Sequence, residues 1–303
     1  MPWLAATALL HSTIVVEQRG ALKSWTVLLA ILAFSLSLVG TFIVRSGLLT
    51  SVHSFASDPA RGVFILGILL VAVGIPLLLF AIRGPQITSR SDFALISREG
   101  ALILNNFLLT SATIVVLVGT FYPLALEMVT GARITVGPPY FDATFNPIMG
   151  VLVAAMGVGP LLAWRRGTIA GMRKIMLMAG ATMLVLLLAV VMASAAFGSG
   201  ISIAGMAGLA LLFWLGAGIL ADIIYRLKPG KAGIAARAAQ LPTPLIGMWI
   251  AHFGMVIFLA GALGNGLFAT EVVVRATPGD SVDVAGRQMT LRAVEARQGP
   301  NYV

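Results

Sequence analysis

The chain contains no cysteine, which excludes disulfides, thiolate metal sites and thiol nucleophiles from its chemistry. Charge is nearly as scarce: 10% of residues are charged against 59% hydrophobic, and mean hydropathy is +0.99. No ordinary soluble domain has that balance. Histidine occurs three times, as His11, His53 and His252. The N-terminal string MPWLAATALLHS lacks the basic region and small-residue cleavage site of a signal peptide. Its apolar run is short for a membrane crossing, so it reads as a helix entered partway.

What is abundant is apolar sequence in long runs. A hydrocarbon core about 30 Å thick needs roughly 20 apolar residues per helix. Runs of that kind lie near residues 3–16, 22–44, 63–82, 101–123, 146–163, 174–197, 201–225 and 244–268. The fold class is therefore an all-α polytopic membrane protein of about eight transmembrane helices. The net charge of +9 raises the question of nucleic acid, and the placement of the positive residues answers it. With helices alternating in direction, Arg19, Lys23, Arg83, Arg90, Arg98, Arg165, Arg166, Arg173, Lys174, Arg226, Lys228, Lys231 and Arg237 fall on one face. Only Arg45, Arg61 and Arg133 fall in the intervening loops. This is the positive-inside asymmetry, which makes the first face cytoplasmic and leaves no nucleic-acid role for the charge.

Between the spans, the outer loop 45–62 carries His53, and Asp58-Pro59 reads as an N-cap with proline at the first helical position of the third span. The segment 124–145, with Gly137-Pro138-Pro139 and the aromatics Tyr140 and Phe141, reads as irregular and interfacial. From Glu271 the pattern changes to alternation at Val282, Val284, Met289 and Leu291, with turn signals at Pro278-Gly279-Asp280 and Gly286. Residues 1–268 thus form a transmembrane domain, and 269–303 begin a small β domain on the outer, periplasmic face. Two or three strands hardly stand alone, so both ends of the sequence look cut.

Ionisable residues inside a membrane are functional candidates by default. His11 lies six residues before Glu17, roughly 9 Å from the basic face at about 1.5 Å per residue. His252 follows Pro244 by eight residues, roughly 12 Å in by the same rise. Similar depth on oppositely directed helices suits two axial ligands of one haem. The same spacing also suits two structural histidines bonded to neighbouring helices, a proton relay or a quinone site. His53 also suits a solvated loop residue. Arg45 ends its helix, where the dipole favours a cation; Arg61 opens one, where the dipole does not, so a nearby anion is expected.

The strings MPWLAATALLHS, SWTVLLAILAFSLSLVGTFIVRSG, LTSVHSFASDPARG and GPNYV resemble the CcmF/NrfE family, the haem-lyase subunit of system I cytochrome c maturation in the bacterial inner membrane. The resemblance runs over essentially the whole chain and is most specific across residues 1–66. It implies that His11 and His252, the latter in MWIAHFG, are axial ligands of a transmembrane haem b. It implies that His53 is a periplasmic ligand of transiently bound substrate haem, and it makes Arg45 and Arg61 candidates for propionate contacts. The family's tryptophan-rich motif and first periplasmic histidine precede the equivalent of Met1, and its final span follows Val303. Implied partners are the haem chaperone CcmE, thiol-handling subunits of the CcmH/CcmI type, apocytochrome c, quinol as electron source and membrane lipid. The implied product is a pair of thioether bonds. The competing reading is a quinone- or proton-coupled transporter or oxidoreductase with a histidine relay.

Overall fold

The computed structural model describes residues 1–46, 59–89, 93–132, 134–164, 169–196, 200–227, 233–269 and 271–295. It is built from helices α1 (Pro2–Arg19), α2 (Lys23–Ser46), α3 (Pro59–Arg83), α4 (Arg98–Thr130), α5 (Pro138–Met156), α6 (Ile169–Ala196), α7 (Ile203–Leu227), α8 (Gly233–Ala238) and α9 (Thr243–Phe268). A hairpin of β1 (Ser281–Val284) and β2 (Arg287–Thr290) follows. Seven helices are long and apolar enough to cross a membrane: α2 to α7 and α9. The chain is a multi-pass membrane protein. The eighth expected run forms α1, which ends on the polar Glu17-Gln18-Arg19 and is 18 residues long.

Local chemistry sets the boundaries. α1 stops at Gly20, whose φ of 64° is a left-handed cap closing on the Val16 carbonyl at 2.8 Å. The Ser97 side chain caps α4 by accepting from the Gly100 amide at 3.0 Å. The segment 124–145 is more ordered than its composition suggests. Residues through Thr130 prolong α4, and Pro138 and Pro139 open α5 instead of breaking the chain. Proline at the first helical positions surrenders an amide that would be unpaired anyway, which is why the Gly-Pro-Pro signal marks a helix start. In the hairpin Val282 faces Met289 and Val284 faces Arg287, across a turn in which Ala285 and Gly286 both have positive φ. The strand turn at 277–280 is tied by the Thr277 amide and hydroxyl donating to Asp280, which hold that exposed carboxyl below its usual range.

Helix packing follows a single path. α3 lies on α2, α2 on α1, α1 on α4, α4 on α5 and α5 on α7, while α6 and α9 both pack against α7. One apolar core joins Leu4, Ala8, Leu29, Leu108, Leu109, Ala112 and Leu152; a second joins Val153, Leu215, Ile219 and Trp249. Two contacts fix the path near its basic end. Arg19 pairs with Glu99 at 2.6 Å, bringing the end of α1 level with the start of α4. Gly218 of α7 lies against Gly157, so that a Cβ on Gly218 would sit 2.6 Å from the Gly157 carbonyl oxygen. Close backbone approach at small residues is how membrane helices gain packing energy.

Gly218→Ala is therefore expected to cost about 1–3 kcal/mol through overpacking, read as a lowered melting temperature in detergent. Gly216→Ala, where the nearest atom is 3.8 Å away, should be close to neutral. Arg19→Ala removes the cation 2.6 Å from the buried Glu99 carboxylate and should lower the melting temperature in detergent. Glu99→Leu should offset part of that loss when paired with Arg19→Ala, because the carboxylate that lost this cation is then gone too.

Candidate functional site

His11 and His252 share one local geometry. Each is half-buried, and each Nδ1 lies 2.8 Å from the backbone carbonyl four residues earlier, Thr7 for His11 and Met248 for His252. A carbonyl only accepts, so Nδ1 must carry the proton and Nε2 keeps its lone pair in the neutral ring. Among the described residues neither Nε2 has a hydrogen-bond partner. A ring whose far N–H is held by a backbone carbonyl, with the other nitrogen lone pair available, is the form that ligates a metal.

Their helices are not extensively packed together: α1 rests on α2 and α4, whereas α9 rests on α7. The groups present fit a metal-centred macrocycle: two neutral imidazoles with available lone pairs, on opposed helices. Among the described residues no group of three or more His, Cys, Asp or Glu is placed to hold a bare metal ion.

Polar groups that sequence reading passed over surround this level of the bundle. Asp222 on α7 is 2% exposed; it accepts from the Trp249 indole at 2.8 Å and from Arg226 at 2.9 Å. A hydrogen bond to a buried charged acceptor is worth about 1.5–3 kcal/mol. Trp249 stands three residues before His252, on adjoining faces of the same helix turn. The signal was available in part: Asp222 is a lone carboxylate within the apolar run 201–225, but nothing in the run itself points to Trp249. Arg98 donates its amide to the Ala163 carbonyl at 3.0 Å and its guanidinium to the Pro160 carbonyl, and lies 5.4 Å from the Trp164 ring centroid. Asn106 on α4 is 3% exposed, and neither of its side-chain polar atoms has a partner. By the Arg19–Glu99 pairing it lies near the level of His11, each about eight residues along its helix from that pair. A buried amide in that state is completed by water or by a bound group.

The remaining expected residues belong to the other end. Arg45 ends α2 and Arg61 lies in the first turn of α3; both are exposed. The close approach of Gly62 to Ser46, with a Cβ distance of 3.0 Å to the Ser46 Cα, puts these two arginines at one end of an antiparallel pair. His53 and Asp58 lie outside the described residues. Ser12 bonds Thr26 at 2.7 Å, which sets His11 level with the start of α2. Arg45 is therefore about 27 Å further along that helix. The histidine pair and the arginine pair cannot share a ligand.

Residues 1–50 match the family model described as cytochrome C assembly protein. The whole chain is 49% identical to the cytochrome c-type biogenesis protein CycK of Rhizobium meliloti, covering 44% of that protein. It is 43% identical to the cytochrome c-type biogenesis protein CcmF of Pseudomonas aeruginosa, covering 45% of it. Among solved structures it matches the cytochrome c heme lyase CcmF with a TM-score of 0.63 and 26% identity, over 95% of this chain and 44% of that one. The chain thus spans a little under half the length of the relatives it matches. Sequence likeness along all of it, and a shared arrangement of helices, establish that the chain belongs to the CcmF/NrfE family of cytochrome c-type biogenesis proteins.

Proposed function

We propose that this chain is the haem-holding part of a cytochrome c haem lyase in the bacterial inner membrane, with His11 and His252 as the axial ligands of one haem b. The observation that carries the reading is the matched state of the two rings. Both give Nδ1–H to a backbone carbonyl, both leave Nε2 available, and they lie on helices that are not extensively packed together. Haem supplies an iron that takes an imidazole on each face and cycles between two oxidation states. The protein's part is to hold both rings in one tautomer and to keep the site within apolar helices, which favours the lower charge on the metal centre.

The second half of the reading concerns the opposite end. The basic loops place that end in the periplasm. There His53 ligates the transiently bound substrate haem, and Arg45 and Arg61 meet its propionates, since guanidinium forms paired hydrogen bonds with carboxylate. Delivery by a haem chaperone of the CcmE type follows from this assignment. Transfer then proceeds to an apocytochrome c presented by CcmH/CcmI-type subunits, with quinol as electron donor. Two thiols of the apocytochrome add across the two haem vinyl groups, forming two thioethers without a net redox change in that addition. In this scheme a haem held by His11 and His252 would supply the electron that reduces the incoming iron. Residues 269–303 then begin a periplasmic β domain, with the hairpin of β1 and β2 as its first element.

Reduced-minus-oxidised visible spectra of the full-length protein test both halves. His11→Ala or His252→Ala should abolish the sharp bands of a six-coordinate b haem while membrane accumulation persists. His53→Ala should leave that spectrum intact and sharply lower covalent cytochrome c formation, with partial rescue by added imidazole. A full b-type spectrum in both His11→Ala and His252→Ala refutes the axial assignment. A proton relay or quinone site predicts instead a parent without b-type bands.

A further inference from the structure

We propose that Asp222 is a positioning residue: by accepting the Trp249 indole N–H, its carboxylate fixes the rotation of α9 about its own axis and so aims His252. The proposal rests on the axial role of His252 argued above and adds a residue on another helix that controls it.

α9 packs chiefly against α7, where Leu263 lies against Gly208 and Leu267 against Gly205, and Trp249 is its single buried residue among those described. Ile250, Phe253, Ile257 and Phe258 are exposed to the apolar surroundings. Packing of such residues discriminates poorly between rotations, because lipid tails are as apolar as the helices they would replace. A directional bond to a buried charge does discriminate. Asp222 is 2% exposed, lies 2.8 Å from the Trp249 Nε1, and is held as an acceptor by Arg226 at 2.9 and 3.0 Å. The carboxylate therefore has its position set from α7 before α9 meets it. The i,i+3 offset then transmits that constraint to His252, less than one turn away. Axial ligation tolerates misplacement of only about 0.5 Å or 10–20°, so an unpinned α9 loses the bond before the helix loses its place.

The test uses the full-length haem-loaded protein in detergent and reads carbon monoxide binding to the ferrous form, which a six-coordinate haem resists and a five-coordinate one permits. Trp249→Phe removes the N–H while keeping an aromatic ring, and Asp222→Ala removes the acceptor. Both should retain haem, show a several-fold larger carbon monoxide-reactive fraction than the parent, and return to low spin on adding imidazole. Asp222→Asn keeps one oxygen for the indole but loses the charge and the paired bond from Arg226, and its carbon monoxide-reactive fraction should fall between the parent and Asp222→Ala. Trp249→Phe as unreactive as the parent overturns the proposal, as does a Trp249→Phe protein that fails to fold, because the contact is then one of general packing. Should Asp222→Ala not accumulate, Trp249→Phe decides alone. The underlying assignment fails separately: a parent without six-coordinate haem, or a His252→Ala variant that keeps it, removes the ligand itself.

Discussion

A helix in lipid gains nothing from the hydrophobic effect by meeting another apolar helix, and every other feature of this bundle is arranged around that constraint. The surface of α3 and most of α6 is apolar and exposed, with side chains such as Phe64, Leu70 and Leu184 more than half accessible. In water such surfaces would collapse. Here they leave helix rotation undetermined, and the few polar or close backbone contacts have to determine it. Glu99, Asp222 and Ser97 are buried because each has a partner to define a geometry, as buried charge requires.

The membrane helices were legible in the sequence because lipid demands length and apolarity together, which leaves a strong one-dimensional signal. The β hairpin was legible for a different reason: Gly286 between alternating strands signals a tight turn, and it takes a φ of 74° that glycine adopts without steric cost. What misled was the Gly137-Pro138-Pro139 signal, which made the interval 124–145 read as irregular although Pro138 and Pro139 open α5; Pro123 and Pro147 lie inside helices as well. Proline-broken backbone is tolerated in a membrane bundle because neighbouring groups take up the freed carbonyls.

The site divides in the same way. His11 and His252 were legible as rare ionisable residues in apolar runs, and their similar depth followed from counting alone. Asp222 was not, although it is the same kind of rarity. Its meaning depends on Trp249, 27 residues later and on another helix, and no periodic pattern connects the two. The pairing of Arg19 with Glu99 is hidden likewise, since the two lie 80 residues apart on different helices and no periodic pattern connects them. Sequence reading finds residues that are unusual in themselves. It does not find contacts that only the fold creates.

Those contacts explain how two rings on non-adjacent helices can be held in register. The path from His11 to His252 runs through α1, α4, α5, α7 and α9, and an error at any joint would displace one ring relative to the other. Each joint carries a specific contact near the basic end. Arg19 meets Glu99 between α1 and α4, and Arg98 meets the Ala163 and Pro160 carbonyls between α4 and the turn ending α5. Gly157 meets Gly218 and the Trp214 indole donates to Ala154 at 2.9 Å between α5 and α7. Asp222 meets Trp249 between α7 and α9. Contacts farther from this level, such as Tyr140 donating to the Val115 carbonyl at 2.9 Å between α4 and α5, brace the same helices. A specific contact at every joint is the arrangement expected if the two imidazoles have to present one fixed separation and the remaining surface only has to face lipid.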